Sequence, residues 1–196
     1  MTGDNGQMSR SVQVIVLAGG SSRRFGSDKL AAPLSDGLSV LDACLTGMPS
    51  AWPLVVVGPS RPVPAAVSER VRWVRESPPG GGPLAGVAAG LALVEAEVVC
   101  LVAGDTPGAG GVLPALVSAL LADPALDAAV ASDGEGRANP LLAAYRVEAL
   151  RGAVPSPAAG VAARTLLTLP HVVVPAPAEA RDVDTPADLA AMTRKS

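Results

Sequence analysis

The sequence predicts an α/β fold: a mostly parallel central sheet with helices on both faces. Three observations carry that prediction. Short apolar runs alternate with helix-like segments, the order expected when each strand is followed by a crossover helix. The first of these runs is apolar at almost every position, as a strand buried on both faces must be. Hydrophobic residues make up 49% of the chain and aromatics only 2%, so the core is built from Ala, Val and Leu, which suit closely packed helix-on-sheet layers. A length of 196 residues fits one domain, with residues 1–11 read as a disordered polar tail and 12–196 as the single domain.

The elements follow in order. "SVQVIVLAGG" is the first strand. A short helix occupies "SVLDACLTGM", where Ser39 caps the start and Val40, Leu41, Cys44 and Leu45 recur at helical spacing. "WPLVVVGP" is the second strand, stopped by Gly58 and Pro59, and "ERVRWVRES" alternates charged and apolar residues as a shorter, more exposed third strand. "PPGGGPLAGVAAGLALVEA" passes from a glycine-rich loop into an alanine-rich helix beginning near Leu84. "EVVCLVAGDTP" is a fourth buried strand ending at Asp105. A helix from about Val112 to Leu121, a strand at "LDAAVASD", a loop "GEGRAN" and a further strand "PLLAAYR" come next. A helix over Ala158–Leu169, the strand "HVVVP" and a last short helix entered through "DVDTPADLAAM" complete the series.

Composition excludes several function classes. A formal net charge of -3 supplies no polycation for nucleic acid. No apolar run reaches the ~18 residues of a membrane span, and the N-terminus has no apolar signal core. These features predict no nucleic acid, no membrane and a cytoplasmic location. Cys44 and Cys100 lie far apart in apolar settings and read as reduced core residues. His171, the one histidine, leaves no zinc pattern and no Ser/His/Asp or Cys/His arrangement. Trp52 and Trp73 read as packing.

Four motifs carry chemistry. In "LAGGSSRRFGSDK", which ends the first strand, Gly19 and Gly20 let backbone N–H groups approach an anion. Ser21 and Ser22 add hydroxyl donors, and Arg23, Arg24 and Lys29 supply charge for phosphate, with Lys29 the point contact to a triphosphate. Neither a Walker loop nor G-x-G-x-x-G is present, which weakens the NTPase and dehydrogenase readings. In "ESPPGGGPLAG", Glu76 to Gly86, three glycines before Pro83 at a helix start make either a backbone-lined wall for a planar base or a flexible connection. Asp105 in "LVAGDTP" ends a strand at the same sheet edge, as a ligand for Mg²⁺ or as a cap for the Asp-Thr-Pro turn. In "RDVDTPADL", Thr185 and Pro186 form a helix start, and Asp184 offers a second carboxylate to the metal.

With "LAGGSSRRFGSDK", "GGPLAG", "AGDTP" and "DVDTPADL" in this order, the chain from Val14 to Leu189 resembles the nucleotidyltransferases of the molybdenum cofactor guanylyltransferase type. The resemblance implies a Rossmann-like, three-layer domain in which the first loop wraps the phosphates of GTP, with Leu17, Ala18, Gly19, Gly20, Ser21, Ser22, Arg24 and Gly26 in contact with the nucleotide. It gives Lys29, Arg23 and Asp105 the catalytic roles, Lys29 on phosphate and Asp105 on Mg²⁺. Glu76, Gly82, Pro83, Leu84 and Gly86 would lie beside guanine, and "NPLLAAYR" on the side of the second substrate. Glu76 stands in place of Asp, and Gly58 where the strand end often bears Asn. The implied reaction transfers GMP from GTP to the phosphate of molybdopterin or molybdenum cofactor and releases pyrophosphate. Proteins of cofactor synthesis or recipient molybdoenzymes are the implied protein partners. CMP transfer to the same pterin, nucleotidyl transfer to another phosphorylated acceptor, and a non-catalytic nucleotide-binding module are the alternatives. A nicotinamide oxidoreductase is disfavoured by the missing dinucleotide fingerprint.

Overall fold

The computed structural model describes residues 12–20, 25–26 and 28–193. The elements run β1 (Val12–Leu17), α1 (Val40–Gly47), β2 (Leu54–Val57), α2 (Ala65–Ser68), β3 (Val71–Val74), α3 (Pro83–Leu91) and β4 (Val98–Ala103). They continue with α4 (Leu113–Ala122), β5 (Ala128–Ser132), β6 (Ala138–Arg146), α5 (Val147–Ala153), β7 (His171–Pro175) and α6 (Pro186–Thr193). Short 3-10 helices lie at Lys29–Ala31, Ala109–Gly111 and Ala163–Thr168. The strands form one seven-stranded sheet in the order β3-β2-β1-β4-β6-β5-β7. It is parallel except at β6, which is antiparallel to both β4 and β5. Residues 1–11, expected to be a polar tail, lie outside the described residues.

Alternation along the buried strands sorts their side chains into two apolar layers. Val14 and Val16 of β1 face Leu41, Leu45 and Leu113 on one side of the sheet. Ile15 points the other way, to Leu84, Val87 and Leu101. Small residues let the layers close: a Cβ on Gly90 of α3 would lie 2.9 Å from Ile15 Cγ2. The β5–β6 reversal is fixed by Asp133, whose carboxylate accepts from the Glu135 and Arg137 N–H groups at 2.9 Å each, an aspartate-capped turn.

The helix expected over Ala158–Leu169 is the one clear departure in the order of elements. Only Ala163–Thr168 is helical there, and as a 3-10 helix. Pro157 and Gly160, the latter at φ +77°, interrupt the chain before it. The α-helix of this region is α5, directly after β6, which local periodicity does not announce. It is held by Val147 and Leu150 in the core and by the Arg151 guanidinium, which donates to Leu91 O at 3.1 Å and Val94 O at 3.0 Å. The four-residue α2 likewise has no sequence signal. Among the described residues, no helix is long and apolar enough to cross a membrane.

Candidate active site

Four parallel strands end at one level. The register pairs Leu17 with Val57 and with Ala103, and Val57 with Val74. The ladder continues one residue further: the N–H groups of Ala18, Gly58 and Gly104 donate to Val57 O, Val74 O and Leu17 O at 2.8–2.9 Å. The segments that follow these strands therefore leave from the same carboxyl edge, where open α/β sheets bind ligands. The segment "NPLLAAYR" is β6 from Asn139 to Arg146; running antiparallel to β4, it has its Asn139 end toward this edge and Arg146 opposite Val98, and Tyr145 Oη donates to Pro140 O at 2.9 Å.

Gly58 has a structural reason. A Cβ there would lie 2.6 Å from Ala18 O, and backbone cannot yield to it. Its φ of +152° adds strain for any L side chain. The absence of the Asn expected at this strand end thus goes with close packing of the second-strand loop under the first loop.

Lys29 is the centre of the site. Its 3-10 helix starts at Asp28, whose Oδ1 accepts from the Leu30 N–H at 3.1 Å, while the Leu30 side chain is buried in the core. The Lys29 Nζ donates to Asp184 Oδ1 at 2.9 Å and pairs with Asp105 Oδ2. Lys29 and Asp105 are largely sequestered, their side chains 18% and 17% exposed, whereas Asp184 is 41% exposed. Burial alone lowers the Lys29 pKa, but the hydrogen bonds and charges of Asp105 and Asp184 outweigh it and hold the ammonium above its ordinary value. Burial, then the Asp184 and Asp105 carboxylates, push the Asp182 carboxyl up. One ammonium thus faces an excess of carboxylate.

The C-terminal segment that carries Asp184 is tied down on both sides. The Val183 N–H donates to Asp105 O at 2.9 Å, and the Val183 side chain is fully buried. Asp188 Oδ2 accepts from the Thr185 N–H at 2.7 Å and the Asp184 N–H at 3.2 Å, and its own N–H donates to Thr185 Oγ1 at 3.3 Å. This reciprocal cap keeps the Asp188 carboxyl below the usual carboxylate range through its hydrogen bonds to Thr185.

The structure gathers several other candidates from the sequence around the same edge. Gly19 and Gly20 are exposed just beyond β1, and Gly26 is exposed at φ +76°. A Cβ on Gly19 would sit 3.6 Å from Glu76 Oε1, and that oxygen accepts from the Gly80 N–H at 3.1 Å. Glu76 therefore stands between the first loop and the glycine-rich one, bonded to the latter. Gly82, at φ +88°, is the N-cap of α3, and Pro83 opens the helix. Leu84 is fully buried, so only its backbone is offered to a ligand. A Cβ on Gly86 would lie 3.0 Å from Leu17 Cδ2, which gives this glycine a packing role against β1. Ser21, Ser22, Arg23 and Arg24 lie outside the described residues. Arg61, which pairs with Asp28, was not singled out by the sequence. Asp188 was not singled out either, although its spacing from Thr185, T-x-x-D, is a capping-box signal that could have marked it.

The donors fit a hard divalent cation. Asp105 and Asp184 converge on one cationic group, both through oxygen. Among the described residues no three His, Cys, Asp or Glu side chains form a cage of their own, and Mg²⁺ characteristically takes one or two carboxylates and completes its shell with water and substrate phosphates.

A parallel sheet whose carboxyl edge presents a glycine loop, a lysine and two carboxylates has the architecture of the α/β nucleotidyltransferases. A nucleotidyl transferase from Methanothermobacter matches the fold with a TM-score of 0.72, at 22% identity over 94% of this chain and 96% of that one. Molybdopterin-guanine dinucleotide biosynthesis protein A from Archaeoglobus fulgidus matches with a TM-score of 0.67, at 23% identity over 93% and 97% of the two chains. The chain belongs to the family of the MobA-like NTP transferase domain, whose model matches residues 14–174. A probable molybdenum cofactor guanylyltransferase from Chloroflexus aggregans is 34% identical over 143 residues, which cover 69% of this chain and 66% of that protein. The match thus spans about two thirds of the relative's length.

Proposed function

We propose that the protein transfers GMP from GTP to the phosphate of molybdopterin or molybdenum cofactor, with release of pyrophosphate. The observation that carries this reading is Lys29 held between Asp105 and Asp184 at the carboxyl edge, in a chain of the MobA-like family. In such a reaction an oxygen of the acceptor phosphate attacks the α-phosphorus in line, the bond from that phosphorus to the bridging oxygen breaks, and pyrophosphate leaves. Phosphoryl chemistry of this kind needs positioning and charge neutralisation more than a covalent nucleophile, which suits a chain with one histidine and two buried thiols.

Lys29, cationic at neutral pH, binds the triphosphate and stabilises the negative charge that develops on it. The Gly19 and Gly20 backbone lets phosphate oxygens approach without a Cβ in the way, and Arg23 and Arg24 orient the triphosphate. Glu76 is an acceptor suited to the adjacent N1–H and N2–H donors of guanine, and the Gly82–Pro83 backbone would form the wall for the base. Mg²⁺, held by Asp105 with Asp184 as the second carboxylate, would supply further charge neutralisation on the phosphates. The cytoplasm is the setting, with proteins of cofactor synthesis or recipient molybdoenzymes as partners.

The test is pyrophosphate release from each of the four ribonucleoside triphosphates, with and without molybdenum cofactor, at several Mg²⁺ concentrations. Release that requires GTP, the cofactor and Mg²⁺ supports the proposal. Release with CTP alone reassigns the base, and GTP binding without release under any condition makes the protein a nucleotide-binding module.

A further inference from the structure

We propose that Arg61, in the loop after β2, is a positioning residue that sets the place of Lys29 through Asp28. The inference rests on the reading of Lys29 as the phosphate-binding lysine and adds a residue to it. Asp28 immediately precedes Lys29, and its two carboxylate oxygens are divided between two tasks. Oδ1 accepts from the Leu30 N–H at 3.1 Å and starts the 3-10 helix. Oδ2 accepts from Arg61 Nη1 at 2.8 Å, across 33 positions of sequence. The helix spans only Lys29–Ala31; buried Leu30 anchors its middle, the Val40 N–H donates to Ala32 O at 3.0 Å at its end, and Asp28 is the tie at its start.

The place of Arg61 makes the tie informative. It follows Gly58, which packs directly on the Ala18 backbone, so the loop that holds Asp28 is itself fixed against the first loop. A cleft of about 480 Å³ opens beside Asp28, Ser39 and Arg61, and the ion pair joins the lysine helix to the β2 loop at its wall. The Arg61 side chain is 25% exposed. Its Nε is buried with no hydrogen-bond partner among the described residues, so Asp28 is the polar contact that orients this guanidinium. The guanidinium meets Asp28 through Nη1, and its planar, always-charged group holds that single contact. Two ties on one carboxylate, one to the helix start and one to the loop after β2, aim the Lys29 stem at Asp105 and Asp184.

The chain has two lysines, Lys29 and Lys195, which gives a direct probe. Reductive methylation with ¹³C-formaldehyde keeps both amines cationic, and Lys195→Arg leaves Lys29 as the one lysine signal. In that background Arg61→Ala is expected to move the Lys29 methyl resonance toward the position it has in the urea-unfolded protein, with Arg61→Lys only partly restoring it. In unmethylated enzyme, Arg61→Ala is expected to lower kcat for pyrophosphate release about tenfold in the Lys29 protein and less than twofold in the Lys29→Ala background. Asp28→Asn should behave as Arg61→Ala does, and the far-ultraviolet circular dichroism of every variant should match wild type.

An unmoved Lys29 resonance in folded Arg61→Ala overturns the proposal. So does an equal loss of kcat with and without Lys29, which would mean that Arg61 acts by another route. If wild-type enzyme releases no pyrophosphate, the proposed reaction fails, and the resonance still decides whether Arg61 positions Lys29.

Discussion

Replacing Lys29 with alanine removes the cation between Asp105 and Asp184 and leaves two carboxylates facing one another. Contacts of hydrogen-bond length to one nitrogen keep the two carboxylate oxygens within about 6 Å of one another. Unit charges at that spacing repel by about 3 kcal/mol at an effective dielectric near 20. Asp184 is 41% exposed, and screening brings the penalty to about 1 kcal/mol, or a Tm lower by about 2–4 °C for a chain of this size. In wild type the Lys29 pKa is raised above its ordinary 10.5, so its contribution is fully present below that value and is lost only as pH rises through the folded pKa. The Tm gap between the two proteins should therefore be flat from about pH 7 to 9 and narrow only as pH rises past the ordinary lysine value of 10.5. Catalysis should suffer more: removing a charge that stabilises the transition state by about 3 kcal/mol slows kcat/KM roughly a hundredfold. Differential scanning fluorimetry across pH and pyrophosphate release at pH 7.5 read both quantities. A folded variant with wild-type kcat/KM, or a Tm gap that changes between about pH 7 and 9, refutes the reasoning.

Three further outcomes rest on particular contacts. Gly58→Ala should cost about 2–4 kcal/mol, because its Cβ would meet Ala18 O at 2.6 Å, and GTP affinity should fall with it; calorimetry showing an unchanged Tm contradicts that close packing. Asp188→Asn should destabilise by about 1 kcal/mol at neutral pH through the weakened cap. Because the Asp188 pKa is depressed, that difference should shrink progressively as pH falls from about 4 through the depressed folded value, and a difference undiminished at about pH 3 would show the carboxylate is not its source. Burial, and then Asp105, push the Cys44 thiol up to about 12, and burial raises Cys100 as well. Neither thiol should react with Ellman's reagent at pH 8 until the protein is unfolded, and rapid labelling of native protein would contradict their placement in the core.

The sheet was legible because its strands are locally apolar and its ligand edge is marked by glycines and Asp105. Local pattern did not give the order of the last strands or the reversal of β6, which depend on the Asp133 turn and on pairing between distant segments. It placed a helix over Ala158–Leu169 because apolar residues recur there, whereas Pro157 and Gly160 interrupt the start and tertiary contacts of Arg151 stabilise α5 instead. At the site, Lys29 stood out as the lysine of a basic, glycine-rich loop, Asp105 as the acid ending an apolar strand, and Asp184 as a carboxylate just before the Thr185–Pro186 helix start. That one ammonium contacts both carboxylates depends on how the C-terminal segment packs on β4, a contact across 155 positions that no local motif encodes. Arg61 was invisible for the same reason: an arginine in a proline-rich loop has no pattern until its partner is in view.

The central claim, that this edge moves a nucleotidyl group rather than a terminal phosphate, is tested most directly by label transfer. Wild-type protein is incubated with molybdopterin, Mg²⁺ and GTP labelled with ³²P at either the α or the γ position, and the products are separated. Attack at the α-phosphorus places the α label on the pterin product and the γ label in pyrophosphate, and Lys29→Ala should suppress both by about the same hundredfold factor. Label from the γ position on the acceptor, or α label that stays in free guanine nucleotide while the pterin is unchanged, would contradict the account.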